Sequence, residues 1–280
     1  MSNVSTAETE RIQVDSTLKG STWVVRVGKY NLKSDHINAL ASGEIMVIQV
    51  PLFTNERSCE LISQGQASLG FEPYINVSEV RKIGMAFYET ELKPELIEKY
   101  FRVSRDHLND FRKACEPYGS PLDTIRGILD EIWPAGANLQ AIFGRKMFVG
   151  LSRMVEPNTT FLAHHDIFAE DAPGIEEAES LTAQFAANIY VQVPEVGGEL
   201  LMWHRNMSSE EFDRKRKGKY GIEIEELPMP DVVVKPGRGD LLIFDSRKIH
   251  AVASPQDASR IAVSFFIGYR GNDKPLTYWS

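Results

Sequence analysis

The chain has 280 residues, 42% of them hydrophobic and 25% charged, with a net charge of −8. That balance is ordinary for a globular protein and excludes a disordered tail or a fibrous repeat, while the acidic charge argues against a nucleic-acid partner. The apolar runs fall far short of the roughly 20 residues a membrane span needs, Met1–Lys19 carries no apolar leader, and two cysteines, Cys59 and Cys115, cannot make a disulfide framework, so a cytoplasmic protein with no membrane partner is expected.

Residues 1 to about 40 are mixed and polar, with one β-rich piece at Thr22–Val27. Glu44–Phe53 reads as a strand, and Asn55–Ser68 as a helix burying Cys59, Leu61 and Ile62. Helical spacing of Leu96, Tyr100, Phe101, Leu108 and Phe111 predicts a helix over Pro94–Ala114, and Leu122–Trp133 reads as another that Pro134 stops. From about Gln140 the texture changes to short β runs: Lys146–Val155, Thr160–Phe168, Ala186–Val193, Gly198–Trp203, Asp231–Val234, Asp240–Phe244, His250–Ala253 and Arg260–Tyr269. Turn residues such as Pro157-Asn158 and Pro236-Gly237 separate them.

Such a series predicts a mainly β fold with flanking helices, a double-stranded β-helix (jelly roll). It is expected as one domain over residues 1–280, with the helical part, 1–139, packed on one sheet of a 140–280 core. An insert at 205–227 interrupts the strands. Its run Arg214–Lys219 is flanked by Glu210, Glu211, Glu223, Glu225 and Glu226, so a solvated, self-paired lid is favoured over a grip on an anionic substrate or carrier protein.

Chemistry concentrates in three places. In Phe161–Phe168, residues two apart share a strand face, so His164 and Asp166 point together and His165 points away. An imidazole and a carboxylate on one face can chelate a divalent ion; a polar strand end facing solvent is the bland alternative. His250, in the strand after Pro236–Phe244, is placed to supply a third ligand across a barrel mouth, although alone it reads equally as a core histidine. Arg260 follows ten residues later, on a face shared with Ala262, Ser264 and Phe266. A guanidinium in an apolar wall needs an anion, either a protein acid or a carboxylate ligand. Two histidines and one carboxylate on a β scaffold make the facial triad of non-haem Fe(II) oxygenases, and the neighbouring arginine suits a dicarboxylate co-substrate such as 2-oxoglutarate.

The chain resembles the Fe(II)/2-oxoglutarate-dependent dioxygenases, within them most the carrier-protein-independent halogenases of hapalindole-type alkaloids and their hydroxylating relatives. The residues that carry the likeness are Val193–Leu200, Pro236-Gly237 with Gly239–Phe244, His250, Arg260 and the terminal Tyr278-Trp279-Ser280. The likeness covers mainly the C-terminal half. It implies His164, Asp166 and His250 as iron ligands, Arg260 on the distal carboxylate of 2-oxoglutarate, and O2 as the oxidant. The halogenating members carry Gly at the position of Asp166, where chloride binds; with the carboxylate present, hydroxylation of an unactivated C–H bond in a small molecule is expected, with release of succinate and CO2. An amino-acid derivative and a natural product are both compatible as substrate.

Halogenation, desaturation or epimerisation at the same site remains an alternative, as does a non-enzymatic jelly-roll binding module. Tyr190, which shares a strand face with Asn188, is carried as a second contact for 2-oxoglutarate. His165 is expected in a packing or surface role and His204 at a solvated strand end. Lys82–Tyr88 reads equally as core strand or pocket wall.

Overall fold

A strand must pair its backbone groups before it can be buried, so the β runs of the second half need one another. The computed structural model describes residues 23–74, 80–159 and 161–280, and there these runs build a large sheet facing a small one. The framing strands are β1 (Val24–Arg26), β2 (Val47–Val50), β3 (Val80–Ile83), β4 (Leu151–Val155), β5 (Ala183–Gln192), β6 (Leu200–Met202), β7 (Val232–Val234), β8 (Leu241–Asp245), β9 (His250–Val252), β10 (Arg260–Tyr269) and β11 (Leu276–Trp279). The large sheet runs β1-β2-β8-β5-β10-β4-β3, antiparallel at every step except β1 on β2. The small sheet is β7-β6-β9, antiparallel throughout, and the two together make the jelly-roll core.

Alternation sorts the large sheet's side chains between two layers. Ile189, Ile243 and Val263 join the helical layer of α1 (Ser34–Ser42), α2 (Glu56–Leu69), α3 (Pro94–Ala114) and α4 (Pro121–Ile132) through Ile37, Ile62, Phe111 and Leu129. On the opposite side Val47, Leu242, Phe244 and Ala262 meet Leu200, Met202 and Val232 of the small sheet. The helix starts follow their cap residues. The Asn55 and Ser120 side chains accept from the backbone N–H three residues on, and Pro94 and Pro121 occupy first turns, where a missing N–H costs nothing.

The Pro236–Phe244 segment is a clamp. Gly239 has φ +87°, and a Cβ there would collide with the Thr54 carbonyl. Its N–H donates to the Tyr190 carbonyl at 2.7 Å. The neighbouring Asp240 carboxylate accepts from Gln49 Nε2 (2.7 Å), the Leu52 N–H (3.0 Å) and the Gly237 N–H (2.8 Å). This turn therefore ties β8 to β2 and sets the height of Tyr190 in β5.

Two expected strands differ. Thr160–Phe168 is not continuous: among its described residues only Ala163, bridging Ile222, and His164, bridging His250, pair as strand, and a helical turn follows at Phe168–Asp171. Each neighbour offers this segment a single pairing residue, and Asp166 turns its N–H to the Ser246 carbonyl instead. Lys146–Val155 is broken by Gly150, at φ +104°, so β4 starts at Leu151. Thr22 and Thr160 lie outside the described residues. Lys82–Tyr88 divides likewise, with strand through Ile83 and then a 3-10 turn from Phe87 to Thr90. The insert forms α5 (Ser209–Arg216) and pairs its own charges, Arg205 with Glu211, Arg216 with Asp213, Lys217 with Glu226 and Lys219 with Glu223. Among the described residues no helix is long and apolar enough to cross a membrane.

Candidate active site

His164 and His250 sit opposite each other where the 161–166 segment touches β9. They exchange both backbone hydrogen bonds, at 2.9 and 2.8 Å, which places their rings side by side with centroids 4.5 Å apart. Asp166 returns to the same side: its Oδ1 lies 4.0 Å from His164 Nε2 and its Oδ2 3.5 Å from His250 Nε2. One ligand atom from each of the three falls within 4.8 Å of the others. The period-two phase of the sequence survives even though the segment forms only two bridges.

The donor set fits a divalent ion. Each imidazole Nδ1 lies 2.9 Å from a backbone carbonyl, Leu162 for His164 and Lys248 for His250. A carbonyl only accepts, so Nδ1 carries the proton and both Nε2 lone pairs are left free for a metal. Burial, with His250 beside it, lowers the His164 pKa to about 4. Burial alone would raise the Asp166 carboxyl, but the contact with His250, with His164 and the Arg153 guanidinium close by, outweighs it and holds the group well below the usual carboxylate range. Neutral imidazoles beside an ionised carboxylate are the forms that ligate. The Asp166 backbone is pinned as well: Gln184 Nε2 donates to its carbonyl at 3.1 Å while Gln184 Oε1 accepts from the Phe168 N–H at 2.9 Å.

Deeper between the sheets, Arg260 is 5% exposed and donates from Nη2 to the Tyr190 hydroxyl at 2.9 Å. The alternative of a protein acid as partner is not realised among the described residues: the ion pairs of this region do not include Arg260, and its Nε is buried with no hydrogen-bond partner. An orphaned guanidinium edge in an apolar wall is what a bound carboxylate would satisfy. Asn188 and Ser264, opposite one another in the β5–β10 register, are buried nearby.

A cavity of about 340 Å³ opens beside the triad, with His164 and Asp166 in its wall. Aromatic side chains line it, Tyr74, Tyr88, Phe161 and Tyr220 among them, together with Arg153. The insert contributes directly: the Tyr220 hydroxyl accepts from the Leu162 N–H at 2.7 Å, and its ring centroid is 6.2 Å from that of His164. His165 is buried against Phe212, centroids 4.3 Å apart, so its role is packing at the cavity edge. His204 is exposed and stacks on Trp23 at 4.7 Å. Within Lys82–Tyr88 both readings hold: Tyr88 lines the cavity, while Phe87 and Met85 are core. Burial pushes the Cys59 and Cys115 thiols up to about 11 and about 12, the condition of inert packing residues.

Arg153, Tyr74, Tyr220 and Gln184 escaped the sequence reading. Arg153 had a usable signal, a cation inside a strand of apolar neighbours, the same one that marked Arg260. The others come from loops or from a strand far from the triad in sequence.

Comparison with known proteins gives four findings. Residues 149–268 match the model of the 2OG-Fe(II) oxygenase superfamily. The chain is 30% identical over 255 residues to the L-gamma-glutamyl-L-propargylglycine hydroxylase of Streptantibioticus cattleyicolor, an alignment covering 88% of this chain and 92% of that one. It is 26% identical over 127 residues to the L-isoleucine 3(1)-dioxygenase of Pantoea ananatis, covering 42% and 40% of the two chains. In fold it is similar to a solved N-substituted L-amino acid dioxygenase from Burkholderia ambifaria, with a TM-score of 0.58 at 15% identity over 88% of this chain and 91% of that one.

Proposed function

The chain belongs to the 2OG-Fe(II) oxygenase superfamily, and on that premise we propose that His164, Asp166 and His250 bind the Fe(II), that Arg260 with Tyr190 binds the distal carboxylate of 2-oxoglutarate, and that the substrate is an amino acid or a small amino-acid derivative. Membership makes the chain an oxidoreductase that uses Fe(II), 2-oxoglutarate and O2 to hydroxylate a C–H bond of a small molecule. A non-enzymatic binding module is thereby set aside.

The observation that carries the ligand assignment is the convergence of three donors within 4.8 Å with both Nε2 atoms released. When bound, the iron supplies the oxidising power drawn from O2 and 2-oxoglutarate. The protein fixes the geometry around it. The Leu162 and Lys248 carbonyls hold the imidazoles in one tautomer, and Gln184 and Ser246 hold the Asp166 backbone. Aromatic side chains make up much of the cavity wall beside the triad.

The substrate class is supported by the relatives, which are named for amino-acid and γ-glutamyl substrates, and by a cavity whose mixture of aromatic rings and arginines suits such a molecule. We read residues 1–280 as one dioxygenase unit, because helices of the first half pack on the sheet that carries Arg260. Residues 205–227 serve as a lid, since Tyr220 and Arg216 line the cavity. Two free, buried thiols suit a cytoplasmic setting.

The deciding experiment incubates the Fe(II)-loaded protein with 2-oxoglutarate, ascorbate and a panel of L-amino acids and γ-glutamyl dipeptides. Succinate release and a product 16 mass units heavier (roughly one oxygen atom) are expected for at least one member. No substrate-dependent succinate from any member would overturn the amino-acid reading.

A further inference from the structure

Arg153, in the middle of β4, is the cavity's one arginine that makes no direct ion pair or hydrogen bond with a carboxylate among the described residues; the charge of Asp166 reaches it only from beyond contact distance. Arg216, the other arginine in the wall, is occupied: its Nε donates to Asp213 at 2.7 Å and its Nη1 to the Lys219 carbonyl at 2.8 Å. Arg153 makes a single hydrogen bond, from Nε to the Tyr74 hydroxyl at 3.1 Å, and both terminal nitrogens lack a hydrogen-bond partner among the described residues. Tyr74 does not neutralise it, because burial raises the phenol further above its already high pKa.

The acids in the same wall are also accounted for. Glu170 accepts from the Ser209 hydroxyl and lies 3.4 Å from His165 Nε2. Asp171 is held well above the usual carboxylate range by burial and by the charges of Asp166 and Glu170, so it is not a standing counter-charge. Asp166 is committed to the metal in the proposed site. An arginine facing a partly enclosed cavity with its two terminal nitrogens unbonded and no carboxylate in contact is a receptor for one.

2-Oxoglutarate has only two carboxylates, and in the proposed site Arg260 would hold one and the metal the other. Arg260 and Tyr190 are not part of this cavity's wall. A carboxylate bound at Arg153 from this cavity would then belong to another molecule. Resting on the amino-acid reading of the function, we infer that Arg153, oriented by Tyr74, binds the carboxylate of the substrate and so determines specificity for free acids. Tyr74 is itself held in place, 5% exposed, under the Lys82 ammonium at 5.4 Å from its ring centre and stacked with Tyr88 at 6.0 Å. Phe161, Tyr220 and Tyr88 are left to contact the apolar remainder of the substrate.

The test compares each panel member turned over by the wild type with its C-terminal carboxamide, in the wild type and in Arg153→Gln, Arg153→Lys and Tyr74→Phe. Michaelis constants are read together with calorimetric binding of substrate and of 2-oxoglutarate to Ni(II)-loaded protein, which does not turn over. In the wild type the free acid should bind at least about tenfold more tightly than the amide, the scale of a hydrogen-bonded charge pair. Arg153→Gln should abolish that preference with 2-oxoglutarate binding unchanged, Arg153→Lys should restore part of it, and Tyr74→Phe should reduce it a few-fold. The inference is overturned if Arg153→Gln still prefers the acid, or if only 2-oxoglutarate binding weakens, which would give the guanidinium to the co-substrate. Should Arg153→Gln fail to fold, an acid preference undiminished in both Arg153→Lys and Tyr74→Phe overturns it equally. Absence of turnover and binding for the whole panel, with 2-oxoglutarate still bound, would instead remove the amino-acid reading and the inference with it.

Discussion

Arg260 donates to the Tyr190 hydroxyl at 2.9 Å while its guanidinium carbon stands 4.7 Å from the centre of the same ring. The two residues lie on neighbouring antiparallel strands, β10 and β5, near the irregularity at Ile261/Ala262, where the register shifts by one residue. That contact fixes the planar fork in the apolar layer between the sheets and leaves its Nε for a ligand. Tyr190 thus positions the arginine, and its main-chain bonds to Gly239 and Asp240 hold it at that level.

Arg260→Gln should therefore raise the 2-oxoglutarate Michaelis constant by about tenfold or more, since a hydrogen bond to a charged group contributes about 1.5–3 kcal/mol. Tyr190→Phe keeps the ring under the guanidinium and loses one bond, so a change of a few-fold is expected. Steady-state assays with varied 2-oxoglutarate and saturating substrate measure both. An unchanged constant in Arg260→Gln would assign that side chain to structure.

His164→Ala and His250→Ala should each lose tight Fe(II) binding and all turnover, because two remaining protein ligands do not hold the facial geometry. His165→Ala should keep one iron per chain. It gives up packing on Phe212 and the contact with Glu170, a stability loss on the order of 1 kcal/mol. Metal content by atomic emission and a thermal melt separate the two outcomes. Loss of iron in His165→Ala would mean that the odd-numbered face of the segment is the ligating one.

The buried pair Lys82–Glu89, at 3.0 Å with side chains 9% and 3% exposed, braces the wall that carries Tyr74. Glu89 also accepts from the Ala86 N–H at 2.9 Å, and Lys82 donates to the Gly84 carbonyl at 3.0 Å. Removing one partner leaves the other buried and uncompensated, which costs about 3–5 kcal/mol, whereas replacing both with apolar residues of similar volume is often neutral. Glu89→Leu should lower the denaturation midpoint strongly, and Lys82→Met with Glu89→Leu should recover most of the loss. Equal midpoints for Glu89→Leu and wild type would show that the pair contributes nothing to stability.

The legible parts of this protein were those encoded locally. The phase of His164 and Asp166 follows from the two-residue period of an extended chain, and Arg260 declares itself as a cation among apolar neighbours. The helix Pro94–Ala114 is readable from its proline start and its spacing, and the structure has it over the same residues. The continuous strand Thr160–Phe168 failed because pairing depends on what the neighbours offer, and β9 and the insert offer one residue each. Gln184 and Tyr74 escaped for a related reason. Gln184 precedes a run of apolar strand residues and only the folded chain brings it to Asp166, and Tyr74 reaches Arg153 across 79 positions.

Asp166→Gly tests how this site chooses its reaction. The wild type in excess chloride should give hydroxylated product and no chlorinated product, because in the proposed site the carboxylate takes the position a halide would need. In the variant one ligand position opens and one negative charge disappears, so chloride becomes acceptable there both sterically and electrostatically. The loop should keep its shape. Ser246 accepts from the residue-166 N–H at 2.8 Å and Gln184 donates to its carbonyl at 3.1 Å, and neither bond needs the side chain. The two imidazoles keep their tautomers through Leu162 and Lys248, so some iron should remain in the presence of 2-oxoglutarate. Hydroxylation should fall by at least about a hundredfold, in line with the loss of a metal ligand. Chlorination then depends on where the cavity holds the substrate carbon, and bromide serves as a second halide in the same assay. Mass spectrometry of the products reads all of this directly: chlorinated product from the wild type would overturn hydroxylation as the native outcome, and full hydroxylation by Asp166→Gly would remove Asp166 from the metal site.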